Sequence, residues 1–446
     1  MRLQTTYREI LRLSLPLMVG SAVQNIIALS DSVFLYHLSE EDFAAIGLIS
    51  AFYLVVAAIG YGFSKGGQII IARRIGEQRW SEVGRSFYSM LFFELFLALV
   101  LFGLMQWGVP QMLHSIVSSE VIYEKCLAYL KYRSWGVFFS YAGVSIIALY
   151  MGAGRVKFLF FDTILLAVTN VILDYGLVFG HFGLPAMGIS GAALASTLAE
   201  VFALLVFWAY IVFFDQSARE YGLFKRPSID MELIKTQLRI SAPIVAQVVV
   251  GLGSWFVFFT LIEQLGEREL AISNLVRLVY LTLSVPIWGF STGLNTLVSY
   301  LIGSGHPRAV FPVVWKTAKL SFVVTLLLTL PFVLFPEWLL YPVLGSTDMS
   351  LITDAHPVLW VMAGILLVFS IGGIFLNGLA GTGATFFGLM LQTTGVVLYL
   401  IAIYYFIVLT QAGLSLAWSV EIYYWVFILA ISAWYLKSLK WKGKKV

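Results

Sequence analysis

The sequence predicts an all-α integral membrane protein, with twelve transmembrane helices in two pseudo-symmetric six-helix bundles. Three observations carry that prediction. Of 446 residues, 60% are hydrophobic and 12% charged, about half the charged share of a soluble domain. The apolar residues fall in runs of roughly twenty or more, the length a helix needs to cross a bilayer. The second half of the chain also repeats the first.

In chain order the runs are 13–36, 45–71, 86–109, 127–152, 158–180, 189–214, 241–264, 271–300, 320–341, 357–380, 386–409 and 414–436. The first follows Arg2, Arg8 and Arg12, as a secretion signal would. It is too long for one, lacks a small-residue cleavage site and precedes eleven more runs, so it reads as the first helix. Lys and Arg orient the set. Of 28 in all, four fall on outer segments (Lys125, Lys131, Arg133, Arg268) and two inside spans (Lys65, Arg277). The rest lie on segments that become cytoplasmic if both termini are inside. The net charge of +4 is thus a topology signal and gives no reason to expect nucleic acid.

Sliding the chain along itself until Pro16 falls on Pro243 also puts Leu38 on Leu265 and Ala44 on Ala271. In that one register "GFSKG" at 62–66 falls on "GFSTG" at 289–293. A slightly longer offset aligns Gly143, Gly152 and Gly154 with Gly372, Gly381 and Gly383. With six spans in each half, the repeats are parallel, and in transporters built this way the substrate site lies between the halves. The expected organisation is an N-terminal bundle at 1–214, a cytoplasmic connector at 215–240 and a C-terminal bundle at 241–446. The connector's tail, "SIDMELIKTQLRIS", has amphipathic spacing and is expected along the membrane surface.

Several chemistries are excluded early. Cys126 is the single cysteine, and His37, His114, His181, His306 and His356 all fall in loops or at span ends. There is no zinc-protease, phosphate-loop or nucleophile–base motif. An enzyme is therefore not expected, nor any cofactor.

Where the halves differ, function is sought. Asp31 aligns with Phe258, Asn170 with Tyr399 and Asp174 with Ile403, so the deep acids are assigned to the N-terminal half alone. A charge at mid-membrane costs about 2.5–3.5 kcal/mol on insertion scales, and the C-terminal half shows the fold does without these. Gln24, Ala28 and Asp31 share one helix face; Thr163, Asn170 and Asp174 share another; Ser196 and Glu200 are four apart on a stripe of small residues. Facing inward together, they form a cluster whose paired carboxylates take up a proton or hold a hard cation between them. Each residue also has a plain structural reading. Asn170, Ser196 and Gln24 could bridge helices, Lys65 could reach the interface, and Arg277 could pair with Glu263, Glu267 or Glu269. Glu94 and Asp162 read as interfacial.

"SLPLMVGSAVQNIIALSDSVFLYHLSEEDFAAIGL" resembles the first-helix signature of the multidrug and toxic compound extrusion (MATE) family, with a Pro near the start and an Asp about fifteen residues on. "IIARRIGEQRWSEVGRSF", "YMGAGRVKF" and "FLNGLAGTGATFF" are similar to the family's loop after span 2 and its glycine motifs after spans 4 and 10. "TNVILDYG" followed by "GISGAALAS" resembles spans 5 and 6 of the DinF-like branch.

The resemblance covers nearly the whole chain in order. It implies two bundles forming a V and export of organic cations or amphipathic compounds by H⁺ or Na⁺ antiport. It also implies a coupling site at Asp31, Asn170 and Asp174, with Ser196 or Thr197 as the hydroxyl of span 6. Other branches place an acid within span 7. Here Glu263, at that span's outer end, is its only acid, which leaves the expected coupling site in the N-terminal bundle. Lys65 and Arg277 match no family motif. The expected partners are small amphipathic or cationic molecules and membrane lipids, the expected state is a monomer, and the expected location is the cell (inner) membrane. The alternative is a flippase for a lipid-linked saccharide of the same superfamily, in which Lys65 and Arg277 would bind phosphate.

Overall fold

The computed structural model describes residues 4–225, 227, 229–344 and 349–442, without the side chains at 24–26, 28, 29, 51, 341–344 and 349. Twelve long helices follow one another: α1 (Tyr7–Tyr36), α2 (Glu40–Gly76), α3 (Trp80–Ile116), α4 (Glu120–Gly152), α5 (Lys157–Phe179), α6 (Ile189–Phe213), α7 (Met231–Glu263), α8 (Glu267–Gly303), α9 (Val310–Leu334), α10 (Met349–Thr382), α11 (Thr385–Leu409) and α12 (Leu414–Lys437). Among the described residues, eleven helices, α2 to α12, are long and apolar enough to cross a membrane. α1 adds a further 30 residues of helix. A helix suits hydrocarbon because it satisfies every backbone polar group within the segment, which otherwise only a closed barrel can do.

The ends are written locally. Ser39 caps α2 by accepting from the Asp42 amide at 3.0 Å, and its hydroxyl donates to the Asp42 carboxylate at 2.6 Å. Glu40, Glu41 and Asp42 fill that first turn, where the helix dipole favours anions. Lys125, near the start of α4, reaches the same carboxylate at 2.8 Å and so ties the two helices at one end. α5 stops at Gly180, whose φ of +80° suits glycine.

The structure changes the expected elements in three places. The ninth span does not run to 341. It ends at Leu334, and a separate short helix, Pro336–Leu344, begins at the proline, which lacks the amide needed to continue the ladder. The connector's tail is no separate surface helix, because residues 231–241 run unbroken into α7. α3 carries a π-helical turn at Leu104–Gly108 that composition does not announce.

The chain packs as two compact units. One comprises Val19–Ser241, the other Met1–Met18 with Ala242–Val446. The division falls inside α1 and α7, just beyond Pro16 in one and just before Pro243 in the other. In the first unit Leu35, Ile49, Cys126, Tyr141, Val178 and Ala193 form the core. The connector docks onto the start of α3 there. The Gly84 amide donates to the Tyr221 carbonyl at 2.7 Å, Tyr88 donates to the Leu223 carbonyl, and Arg85 pairs with Asp230 at 3.3 Å. In the second unit Phe258, Tyr280, Met362, Phe369 and Trp418 form a more aromatic core. The repeat is visible in element lengths. α2 and α8 each have 37 residues. They start at Glu40 and Glu267, positions that the register pairing Pro16 with Pro243 also pairs.

Candidate cation-coupling site

Asn170 and Asp174, one turn apart on α5, are both buried, Asp174 completely. They are met by the small-residue stripe of α6. Gly191 lies so close to α5 that a Cβ on it would fall 2.4 Å from the Leu177 carbonyl oxygen, an approach only glycine permits. That approach places Ser196 beside α5, and the Asn170 amide donates to its hydroxyl at 3.1 Å. From α1, the Asp31 carboxyl comes within interaction range of both Asp174 and Ser196. The structure thus brings Asp31, Asn170, Asp174 and Ser196 together.

Their oxygens are poorly served. Oδ1 of Asp31, both carboxylate oxygens of Asp174 and Oδ1 of Asn170 are buried with no hydrogen-bond donor among the described residues. Two facing carboxylates are both acceptors, so neither can satisfy the other until a proton or cation is supplied. The set offers carboxylate, amide and hydroxyl oxygens, which suit H⁺ or a hard cation such as Na⁺.

The secondary residues divide. Thr197 spends its hydroxyl on backbone, donating to the carbonyls of Ala193 at 2.9 Å and Tyr132 at 3.3 Å. Thr163 likewise donates to Leu159 on its own helix at 2.8 Å. Glu200 lies outside the carboxylate pair and holds Arg133 of α4 in a bidentate ion pair at 2.8 and 2.6 Å. Lys65 is half-buried on α2 and is not among the groups acting on Asp31 or Asp174. Arg277, in the other unit, lies over the ring of Phe259 at 4.7 Å. It forms no ion pair with Glu263, Glu267 or Glu269 among the described residues. The side chain of Gln24 lies outside the described residues.

Three readings from sequence need correction. Arg133, counted with an outer loop, is buried, packs its guanidinium on Tyr53 at 4.1 Å and acts electrostatically on Asp31. The signal was there: a lone Arg in the aromatic run "YLKYRSWGVFF" and a lone Glu in "LASTLAEVFALL". Glu94 and Asp162 are buried rather than interfacial, and Glu94 accepts from Ser64 at 3.0 Å. Burial by neighbouring helices, which hydropathy does not report, explains all of these. Glu421 of α12 is also buried, so deep acids are not confined to the N-terminal half.

The MatE family profile matches residues 16–176 and again 243–405. The chain belongs to the MatE family. The two matches begin at Pro16 and Pro243, the prolines that the internal repeat pairs, so each half is one MatE unit. Among relatives, a probable multidrug resistance protein NorM of Thermotoga maritima is 25% identical, over 98% of this chain and 94% of its own length. One of the same description from Agrobacterium fabrum is 26% identical over 67% of this chain and 64% of its own. Among solved structures, an outward-facing multidrug resistance MATE transporter of the MOP superfamily aligns with a TM-score of 0.88 at 21% identity, covering 97% of this chain and 96% of that one. A MOP superfamily transporter from Pyrococcus furiosus, described as having a binding pocket of reversed polarity, aligns at 0.87 and 22%, covering 97% and 96%. The MatE fold, an all-helical multi-pass membrane transporter fold, is therefore the fold of this chain.

Proposed function

We propose that this MatE protein is a secondary active exporter of organic cations or amphipathic compounds, driven by H⁺ or Na⁺ antiport through alternating access. The observation that carries the reading is the facing pair of half-buried Asp31 and fully buried Asp174, three of whose oxygens lack any donor among the described residues. Multidrug resistance in the names of the relatives supports the substrate class. The acids in the N-terminal unit support the DinF-like branch. The excess of Lys and Arg on one set of loops supports a cell-membrane location with both termini cytoplasmic, and we take the working unit to be the monomer.

In this mechanism the outward-facing protein loads H⁺ or Na⁺ at Asp31 and Asp174. Neutralising the pair removes the repulsion between α1 and α5 and changes how they pack with α6, which favours release of substrate outside. The ion drives this only because it binds one conformation more tightly than the other.

The test is dye efflux from proteoliposomes under an imposed pH or Na⁺ gradient, with wild type and Asp31→Asn compared. One gradient should drive wild type, and Asp31→Asn, folded normally, should lose that drive. Equal efflux by the variant refutes the coupling role. Dye transport absent under both gradients, with scrambling of a lipid-linked saccharide, would instead favour the flippase.

A further inference from the structure

The C-terminal unit holds a carboxyl that the coupling mechanism does not use. Aligning the last helix of each half through Gly188-Ile189-Ser190 and Gly413-Leu414-Ser415 puts Glu421 where Ser196 stands. In the same repeat Phe258, Tyr399 and Ile403 replace Asp31, Asn170 and Asp174. The second repeat thus lacks the acids of its first and fifth helices and carries one on its sixth. Glu421 is only 5% exposed.

Its surroundings are aromatic. The Tyr280 hydroxyl of α8 donates to Oε1 at 3.2 Å and the Trp425 indole N–H to the same oxygen at 3.3 Å. Oε2 has no hydrogen-bond partner among the described residues. Tyr280 stacks on Phe369 of α10, which packs on Trp425 with ring centres 4.2 Å apart. The titratable groups facing Glu421 are Tyr280 from α8, Tyr399 from α11 and Tyr424 from α12 itself. From α10 the ring in this layer is Phe369, and no basic side chain acts on the carboxyl among the described residues.

We propose that Glu421 is a second proton-binding site, confined to the C-terminal unit and loaded independently of Asp31 and Asp174. A buried carboxylate with no cation beside it is neutralised by a proton. A metal cation is disfavoured, because Na⁺ and its kind need several oxygen ligands and this site is walled by rings. The step is one proton added to Oε2, the oxygen without a donor, while Oε1 keeps its bonds from Tyr280 and Trp425. Proton loss restores the carboxylate, which those same two donors hold in place. The site's part in transport rests on the exporter reading above, whereas its protonation does not.

The test is infrared difference spectroscopy of the full-length protein in lipid, titrated between acid and alkaline pH, reading the protonated-carboxyl band. It needs neither substrate nor gradient, so it stands or falls apart from the exporter reading. The double variant Asp31→Asn, Asp174→Asn should keep a titrating band. Adding Glu421→Gln should remove one carboxyl's worth of it. Should Glu421→Gln fail to fold, Tyr280→Phe keeps the carboxyl, removes one donor from Oε1, and should displace the same band. A titrating signal untouched by the Glu421 substitution, or by Tyr280→Phe where that variant is used, overturns the proposal.

Discussion

Glu200→Gln would leave the Arg133 cation without its partner inside the first unit, where it is 7% exposed. The negative charge behind both hydrogen bonds, at 2.8 and 2.6 Å, is lost, and the Gln amide oxygen can accept at only one of the two positions. Opposite charges about 4 Å apart attract by about 4 kcal/mol at an effective dielectric of 20. Breaking a buried pair from one side typically costs about 3–5 kcal/mol. Glu200 keeps 16% of its side chain exposed, so the lower end, about 3 kcal/mol, is expected. Arg133→Met should cost a similar amount, because it strands the Glu200 carboxylate. Replacing both, Arg133→Met with Glu200→Leu, removes the stranded charge and should recover most of the loss. The chain supplies its own reporter: Cys126 is the single cysteine and is buried, so a thiol-reactive dye in detergent reads unfolding directly. Single variants within about 1 kcal/mol of wild type, the range of an exposed pair, would refute the argument. So would a double variant as unstable as the sum of the singles.

Two further outcomes follow from the packing and the connector. Gly191→Ala places a methyl against the Leu177 carbonyl and the Val178 amide, at 2.4 and 3.0 Å. Backbone does not give way, so a cost of about 1–3 kcal/mol is expected, together with separation of Ser196 from Asn170 and weaker ion-driven efflux; an unchanged unfolding midpoint and efflux would contradict the close approach. Burial pushes the Tyr221 phenol in the connector up to about 12, with Asp215 adding to the shift and Arg155 opposing it. A folded value raised from the ordinary 10 contributes about 2–3 kcal/mol that is present below pH 10 and lost as pH rises towards 12. Unfolding midpoints of wild type should therefore fall faster than those of Tyr221→Phe across that window, and parallel curves would contradict it.

Much of the fold was legible because a bilayer makes hydropathy decisive. A run of twenty apolar residues has few alternatives to a spanning helix. The helix ends at Gly180 and at the capping residue Ser39 follow from local chemistry. The end of the ninth span did not, since apolar residues continue past Pro336 and only the missing amide stops the helix. Asn170 and Asp174 could be placed on one face by spacing alone, and the repeat marked them out by what replaced them. Arg133, Glu94 and Asp162 were misplaced for one common reason. A charged residue near the end of an apolar run looks the same in sequence whether it reaches for water or turns inward to a partner.

The sequence by itself determined the helices, their approximate limits, the repeat that lays one half of the chain on the other, and the two aspartates. These follow from transfer free energy and helical periodicity, which act along the chain. The tertiary structure alone decided that Arg133 pairs with Glu200, that Gly191 lets α6 close on α5, and that Glu421 sits among tyrosines and tryptophans. Those outcomes depend on which helix faces meet. Inside a membrane that choice is made by close packing and by the need to pair buried polar atoms, neither of which is written in any single segment.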